Sequence, residues 1–254
     1  MNYIKENDKT WDKRSENNDC WSVPVTSEEI RLAKEGIWSI VLTPRKPVPS
    51  TWFPQNIKNL KILCLASGGG QQGAILAAAG ADVTVFDNSS KQLEKDEFVA
   101  MRDNLTIKTV QGNMQDLSIF ENEVFDCIIH PWSNGYIDNV LPVWRECARV
   151  LKKNGLLLSG FGNPIEYIFK ADKLEQGIFE VVNSIPYADI EHMDDEKIRS
   201  IAEKEGYIWS HTLEKQLQGQ IEAGFAIIGF YEDIGGTALD KYINSSIATK
   251  AIKM

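Results

Sequence analysis

The chain lacks long hydrophobic runs, paired cysteines and stretches of basic residues. No apolar run approaches the roughly 20 residues of a membrane-spanning helix, and the polar first 20 residues have no apolar core of a secretory signal. The four cysteines form no C-x-x-C pair, so we expect neither a zinc site nor a disulfide framework. Cys64 and Cys127 lie in apolar runs, which favours buried free thiols in a reducing cytoplasm.

The balance of charge disfavours a nucleic-acid partner. The chain has 27 Lys+Arg against 36 Asp+Glu, a formal net charge of −9, whereas phosphate backbones attract basic surfaces. The length of 254 residues suits one large α/β domain or a domain with a lid. An acidic chain of this size favours a small-molecule partner, and the sequence gives no indication of the oligomeric state.

The first 59 residues differ from the rest of the chain, and we expect them to form an extension or cap segment. Residues 1–20 are predicted to be loosely ordered. Thr26 and Glu29 have the spacing of a capping box and predict a short helix ending near Gly36. Four prolines between residues 42 and 54 exclude a regular helix or central strand there and indicate an extended segment.

From residue 60 onwards, short apolar runs alternate with helical patterns. Such alternation predicts a parallel sheet covered by helices on both faces. The predicted strands are 61–66, 83–86, 106–110, 124–130 and 155–161, with helices at 89–104 and 137–151 among the connections. Residues 164–193 break this rhythm and are predicted to be an insertion after the fifth strand. Helices near 194–205 and 211–223 and strands within 223–233 and 246–253 complete the chain.

A glycine-rich turn follows the first predicted strand, in the segment LCLASGGGQQG of residues 63–73. Gly68, Gly70 and Gly73 match the G-x-G-x-x-G pattern, in which a strand runs through a tight turn into a helix whose free N–H groups face a nucleotide. Alternatively, these glycines only allow the helix to pack closely against the strand. The strand before the turn and the helix after it favour nucleotide binding.

Polar residues also follow the next three strands. Asp87 ends the second strand and can accept hydrogen bonds from both ribose hydroxyls; alternatively, Asp87, Asn88 or Ser89 only caps the next helix. After the third strand, Asn113 can bond an adenine edge with Met114 against the ring, or the pair forms an ordinary turn. After the fourth, His130 could act as a general base or be a buried, hydrogen-bonded histidine.

These motifs, in this order, resemble those of the class I S-adenosylmethionine-dependent methyltransferases. The resemblance extends over residues 60–253 and rests on LCLASGGG, VTVFDNSSKQL, QGNMQDL, FDCIIH and RVLKKNGLLLSGF, with GFAIIGFYED and SIATKAIK at the end. It implies a Rossmann-like, doubly wound α/β fold with a mostly parallel seven-stranded sheet that ends in an antiparallel hairpin. The methyltransferase domain would comprise residues 60–254, and the cofactor would be S-adenosyl-L-methionine.

By the same resemblance, the residues that hold the cofactor would be Ser67, Gly68, Gly69, Gly70, Gln71, Gln72, Asp87, Asn88, Gln92, Asn113, Met114 and His130. His130 is also the one candidate catalytic residue, and no metal ligands are expected. Aromatic residues beside prolines or in loops are candidates for the acceptor pocket: Trp21, Trp132 and Tyr187, with His130 facing the same cavity from below.

The sequence departs from the family pattern at three positions. Cys64 and Asn113 stand where the family usually has acidic residues, and Ala66 stands where it usually has glycine. A cationic sulfonium therefore loses favourable charge near these positions. Two alternatives to a methyltransferase acting on a small molecule remain open at this point: an NAD-dependent oxidoreductase that uses the same glycine turn, and a non-catalytic protein that kept the fold and the cofactor.

Overall fold

A seven-stranded sheet forms the centre of the molecule in the computed structural model, which describes residues 2–254. The strands of the chain are β1 Lys61–Leu65, β2 Asp82–Asp87, β3 Ile107–Gln111, β4 Phe125–His130, β5 Leu151–Gly162, β6 Tyr187–Ala188, β7 Trp209–Ser210, β8 Phe225–Asp233 and β9 Ser246–Lys253. The large sheet has the order β3-β2-β1-β4-β5-β9-β8. Its first five strands are parallel, and β9 runs antiparallel between β5 and β8. The predicted Rossmann-like sheet with a C-terminal antiparallel hairpin is confirmed.

Helices cover both faces of this sheet. The helices of the chain are α1 Tyr3–Glu16, α2 Ser27–Lys34, α3 Gln72–Ala78, α4 Ser90–Asp103, α5 Leu141–Val150, α6 Ala171–Glu175, α7 Glu196–Glu205 and α8 Gly219–Glu222, of which α6 and α7 lie apart from the sheet in the segment between β5 and β8. Alternate residues of β1 enter two separate hydrophobic cores: Ile62 and Cys64 pack with α2 and α3, whereas Leu63 and Leu65 pack with α5. Because both faces are buried, the strand is an unbroken apolar run in the sequence.

Several local predictions are confirmed, with shifted boundaries. Thr26 and Glu29 form the capping box of α2: the Glu29 N–H donates to Thr26 Oγ1 over 3.2 Å, and the Thr26 N–H donates to Glu29 Oε2 over 2.7 Å. Strand β5 begins at Leu151, four residues before the predicted start. The helix predicted over 211–223 is divided into a π-helical turn, Glu214–Gln218, and α8.

The prediction of loose order is wrong for residues 2–20, because α1 is held by distant parts of the chain, and residue 1 lies outside the described residues. The Asn7 amide donates to the carbonyl oxygens of Tyr136 and Tyr207. Ser15 Oγ donates to the Lys91 carbonyl. The anchoring side chains are polar, so α1 has no apolar stripe that would have marked it in the sequence.

The segment between β5 and β8 holds more regular structure than its sequence indicates. Besides α7, which was predicted near residues 194–205, it contains α6, and β6 pairs antiparallel with β7. Ala188, Ala202, Tyr207 and Trp209 form a small core, and Tyr3 of α1 packs against it. Helix α1 therefore bridges this segment and the large sheet. Within residues 2–254, none of the helices combines the length and apolar character needed to cross a membrane.

Candidate functional site

A partly enclosed cavity lies at the carboxyl ends of β1 to β4, where ligands bind in open α/β sheets. It has a volume of about 1070 Å³, including the part that is open to solvent. The sheet contributes residues that follow each of the four strands, the segment 41–43 forms one side, and α1 lies over the top. Of the residues predicted to hold the cofactor, the walls include Ser67, Gly68, Gln71, Gln72, Asp87, Asn88, Gln92, Asn113 and Met114.

Two glycines of the turn pack against α4, and not against a ligand or a strand as the sequence analysis expected. Gly69 and Gly70 do not line the cavity, and both donate their N–H groups to Asp96 Oδ2 of α4, over 3.0 and 3.1 Å. At Gly70, φ is +71°, and an added Cβ would lie 2.8 Å from the Lys95 carbonyl oxygen. Gly69 and Gly70 therefore allow close packing against α4, which the sequence analysis did not predict, whereas Gly68 lines the cavity.

Asp96 holds this turn from inside the protein. Its side chain is fully buried, and burial raises its pKa to about 8, although the two glycine N–H groups oppose that rise. Its second oxygen, Oδ1, has no hydrogen-bond partner among residues 2–254. Sequence reasoning missed this carboxylate because it lies in the middle of a helix, where an aspartate is usually exposed.

Asp87 occupies the predicted place at the end of β2 and lines the cavity. Its two carboxylate oxygens accept the N–H groups of Gly68 and Ser89, over 2.9 and 3.0 Å. Burial raises its pKa above the ordinary value for an aspartate. Ser89, not Asp87, is the N-cap of α4. Asp87 is therefore free to bind a ligand with its remaining acceptor capacity.

Two glutamines position neighbouring parts of the cavity wall. The Gln71 amide donates to the carbonyl oxygens of Cys20 and Val23, on either side of Trp21. Gln92 is 3% exposed, and its Nε2 donates to Ser22 Oγ over 2.7 Å. The Gln92 Oε1 atom is buried without a partner among residues 2–254. Both side chains thereby fix the N-terminal segment against the glycine turn.

Asn88, Asn113 and Met114 lie together at one end of the cavity. The Asn88 amide donates to the Ile4 carbonyl oxygen over 3.3 Å, which ties this end to α1. The Asn113 side chain accepts the Gln115 N–H over 3.0 Å. This end provides an apolar thioether beside amide groups, which suits an adenine ring.

His130 does not line the cavity, contrary to the expectation that it faces it from below. It is fully buried, its Nδ1 lies 3.0 Å from the Leu65 carbonyl oxygen, and its Nε2 lies 2.6 Å from Asn134 Oδ1. Burial lowers its pKa, although the contacts with Leu65 and Asn134 oppose that shift. With both ring nitrogens engaged inside the protein, His130 has the geometry of the buried, hydrogen-bonded alternative.

Tyr187 lies in a different place from the other two candidates for the acceptor pocket. It lines a second cavity within the segment between β5 and β8, where its OH donates to Asp189 Oδ1 over 2.8 Å and its ring stacks on His192. Trp21 and Trp132 both line the first cavity, with ring centroids 6.2 Å apart. The N-terminal segment thus encloses the candidate site, whereas residues 164–193 contribute nothing to its wall.

Helix α1 contributes four lining residues that the sequence analysis missed: Ile4, Asn7, Asp8 and Trp11. Their spacing of i, i+3, i+4 and i+7 places them on one helical face. That spacing was the available signal, but only one of the four is aliphatic, so no hydrophobic period revealed it. Trp11 packs edge-on against Tyr136 with ring centroids 5.2 Å apart, and Tyr136 also lines the cavity.

Three polar atoms on the cavity wall are buried without hydrogen-bond partners among residues 2–254: Asp8 Oδ1, Gln92 Oε1 and Trp132 Nε1. Buried polar groups in native proteins are normally paired, so these atoms fit a polar ligand in the cavity. Asp87 supplies a carboxylate on the same wall. The charge and polarity of the wall therefore fit S-adenosylmethionine, whose sulfonium and ammonium groups are positive.

Comparison with known proteins gives the family. A model of a methyltransferase domain matches residues 63–159. The chain is 53% identical over 252 residues to an uncharacterized methyltransferase, YbaJ, of Bacillus subtilis (strain 168), a match that covers 99% of this chain and 98% of the relative. These matches favour a methyl donor over the nicotinamide alternative and an enzyme over a non-catalytic protein.

Solved structures share the fold. An S-adenosylmethionine-dependent methyltransferase from Mesorhizobium loti has a TM-score of 0.61 at 17% identity, over 80% of this chain and 94% of that one. An arsenic(III) S-adenosylmethionine methyltransferase from Chlamydomonas reinhardtii has a TM-score of 0.57 at 16% identity, over 91% and 74%. From its sheet, its methyltransferase domain and its full-length relative, the chain belongs to the class I S-adenosylmethionine-dependent methyltransferases, with S-adenosylmethionine as its methyl donor.

Proposed function

We propose that this enzyme methylates a small molecule inside the cavity over β1 to β4. The observation that carries the proposal is the enclosure of that cavity: α1 lies over it and the segment 41–43 forms one side, which leaves space for a small acceptor rather than for a macromolecular surface. We further propose that residues 1–59 act as a cap on a methyltransferase domain of residues 60–254, with residues 164–193 as an insertion.

We assign the two ends of the cavity to two parts of the cofactor. Asp87 would hold the ribose, while Asn88, Asn113 and Met114 would face the adenine. Ser67, Gly68 and Gln72 would lie beside the methionine portion. When bound, the cofactor supplies an electrophilic methyl group, which an acceptor displaces from sulfur. The chain itself orients the two reactants and excludes water, which supplies most of the catalysis in such a displacement.

Gly69, Gly70 and His130 have supporting roles in this proposal. The two glycines keep the turn against Asp96. His130 fixes the loop after β4 through Leu65 and Asn134, so that Trp132 and Ser133 reach the cavity. None of these three contacts the reacting atoms.

A thermal-shift comparison tests the proposed cavity function. S-adenosylmethionine and S-adenosylhomocysteine should each raise the melting temperature, because a ligand that binds only the folded state adds stability. NADH at the same concentration should leave the melting temperature unchanged. Stabilisation by NADH alone would overturn the proposal.

The cysteines bear on the compartment in which the enzyme works. Cys64, Cys127 and Cys147 are buried free thiols, and burial raises the pKa of Cys127 to about 12. Such thiols are unreactive and suit a reducing environment. We therefore propose a cytoplasmic location, which fractionation of cells that express a tagged chain would test.

A further inference from the structure

The charges on the cavity wall have one sign. Two carboxylates, Asp8 and Asp87, line it, and among residues 2–254 no lysine, arginine or histidine does. The Arg14 guanidinium lies 4.5 Å from the centroid of the Trp11 ring and forms ion pairs with Asp19 and Glu205. An anionic acceptor would enter this cavity against two like charges and without a counter-ion.

Asp8 is the carboxylate with unused acceptor capacity. Its Oδ1 is buried without a partner among residues 2–254, and the side chain lies on the same face of α1 as Trp11. Burial and the nearby carboxylates of Asp12 and Asp87 raise the pKa of Asp8. A cationic or hydrogen-bond-donating group beside it would relieve this repulsion and satisfy the free oxygen.

The apolar part of the wall is aromatic. Trp21 packs on Trp132, and Trp11 packs on Tyr136, and all four rings line the cavity. Flat apolar groups stack on such surfaces, and indole faces also attract cations. The aromatic rings and the two carboxylates of the wall therefore both suit a flat group that carries positive charge.

We propose, on the basis of the methyltransferase function proposed above, that the acceptor is an amine that carries a flat apolar group and no anionic group, with its nitrogen at Asp8. The amine binds as its ammonium ion and first gives a proton to Asp8 or to water, which frees the nitrogen lone pair. That lone pair forms the new C–N bond as the C–S bond breaks, and the electron pair of the C–S bond stays on sulfur. A proton of the resulting ammonium passes to Asp8 or to water. A nitrogen nucleophile gains positive charge in this step, which the two carboxylates stabilise.

An oxygen nucleophile suits this cavity less well. A phenol reacts as its anion, which needs a base to form, and a carboxylic acid is already an anion at pH 7; either anion needs a positive group beside it to bind. His130 is the one candidate base from the sequence analysis, and both of its ring nitrogens contact groups inside the protein. The wall of the cavity thus offers carboxylates where an anionic nucleophile would need cations.

Binding of three matched ligands tests the inference. Calorimetry on the protein saturated with S-adenosylhomocysteine would compare benzylamine, benzyl alcohol and benzoate, which share one ring and differ in charge. Benzylamine should bind at least about tenfold more tightly than either of the others, as expected for a hydrogen bond to a charged group. Asp8→Asn should abolish that preference and leave the affinity for S-adenosylhomocysteine unchanged.

The matched control is Glu6→Gln, which neutralises a carboxylate on the solvent side of the same helix, where Glu6 pairs with Lys9. It should keep the preference for benzylamine. The inference is overturned if benzoate or benzyl alcohol binds as tightly as benzylamine, if none of the three binds, or if Asp8→Asn weakens S-adenosylhomocysteine by the same factor. Failure of S-adenosylhomocysteine itself to bind the wild-type protein would instead contradict the proposed function.

Discussion

Asp87 is the residue at which sequence and structure agree most closely. It ends β2, lines the cavity and holds the N–H groups of Gly68 and Ser89. We predict that Asp87→Ala weakens S-adenosylmethionine binding by roughly 1.5–3 kcal/mol, the usual cost of losing hydrogen bonds to a charged group. Titration calorimetry measures this loss. Asp82→Ala, at the exposed start of the same strand, should bind normally; equal affinity in both variants would remove Asp87 from the site.

Asp96 makes the stability of the protein depend on pH. Its pKa in the folded protein, about 8, lies above the ordinary value of 3.8 for the unfolded chain. Its contribution to stability is therefore complete below the unfolded pKa and is lost as the pH rises through about 8. The loss has a slope of at most about 1.4 kcal/mol per pH unit.

We predict that Asp96→Asn removes this dependence, because the amide oxygen still accepts the N–H groups of Gly69 and Gly70 without carrying charge. Urea unfolding at pH 5 and pH 8 should show the variant gaining stability relative to wild type as the pH rises. Glu94→Gln, on the exposed face of the same helix, should show no such gain. A constant difference between Asp96→Asn and wild type at both pH values would contradict the assignment.

At the scale of elements, α1 depends on Asn7. The Asn7 side chain donates to the carbonyl oxygens of Tyr136 and Tyr207 and accepts the Tyr207 N–H over 2.7 Å. Asn7→Ala should lower the free energy of unfolding by about 1–3 kcal/mol, because it leaves these buried groups unpaired. Hydrogen exchange should rise in α1 and stay slow in β1 to β5.

Asn17→Ala serves as the control for this prediction, since Asn17 is exposed at the end of the same helix. It should leave both stability and exchange nearly unchanged. If Asn7→Ala behaves like this control, α1 is held mainly by other contacts, such as that between Tyr3 and Trp209.

The elements differ in how far the sequence predicted them. The strands of the large sheet were predicted because each is a local run of apolar or β-branched residues, and α2 was predicted because Thr26 and Glu29 are only three residues apart. Helix α1 was not, since its anchors are polar and its partners lie 129 and 200 residues away along the chain. The pairing of β6 with β7 was also missed, because strands of two residues are too short to show an alternation of apolar and polar residues.

At the scale of the whole molecule, the order of the motifs predicted the sheet, its topology and the edge at which the cavity lies. What the sequence did not predict is which added segment encloses that cavity. The sequence analysis named both Trp21 and Tyr187 as candidates for the acceptor pocket, because each is an aromatic residue in a loop with a nearby proline. The two residues line different cavities. Their placement depends on how α1 and the segment between β5 and β8 dock, and no local pattern encodes this.

A crystal structure of the protein with S-adenosylhomocysteine tests the central claim most directly. The account predicts density in the cavity under α1, with the ribose hydroxyls within hydrogen-bond distance of Asp87, the adenine at Asn113 and Met114, and the sulfur toward Trp132. The claim would be contradicted if the ligand lay outside this cavity, for example in the second cavity beside Tyr187, or if the ribose made no contact with Asp87.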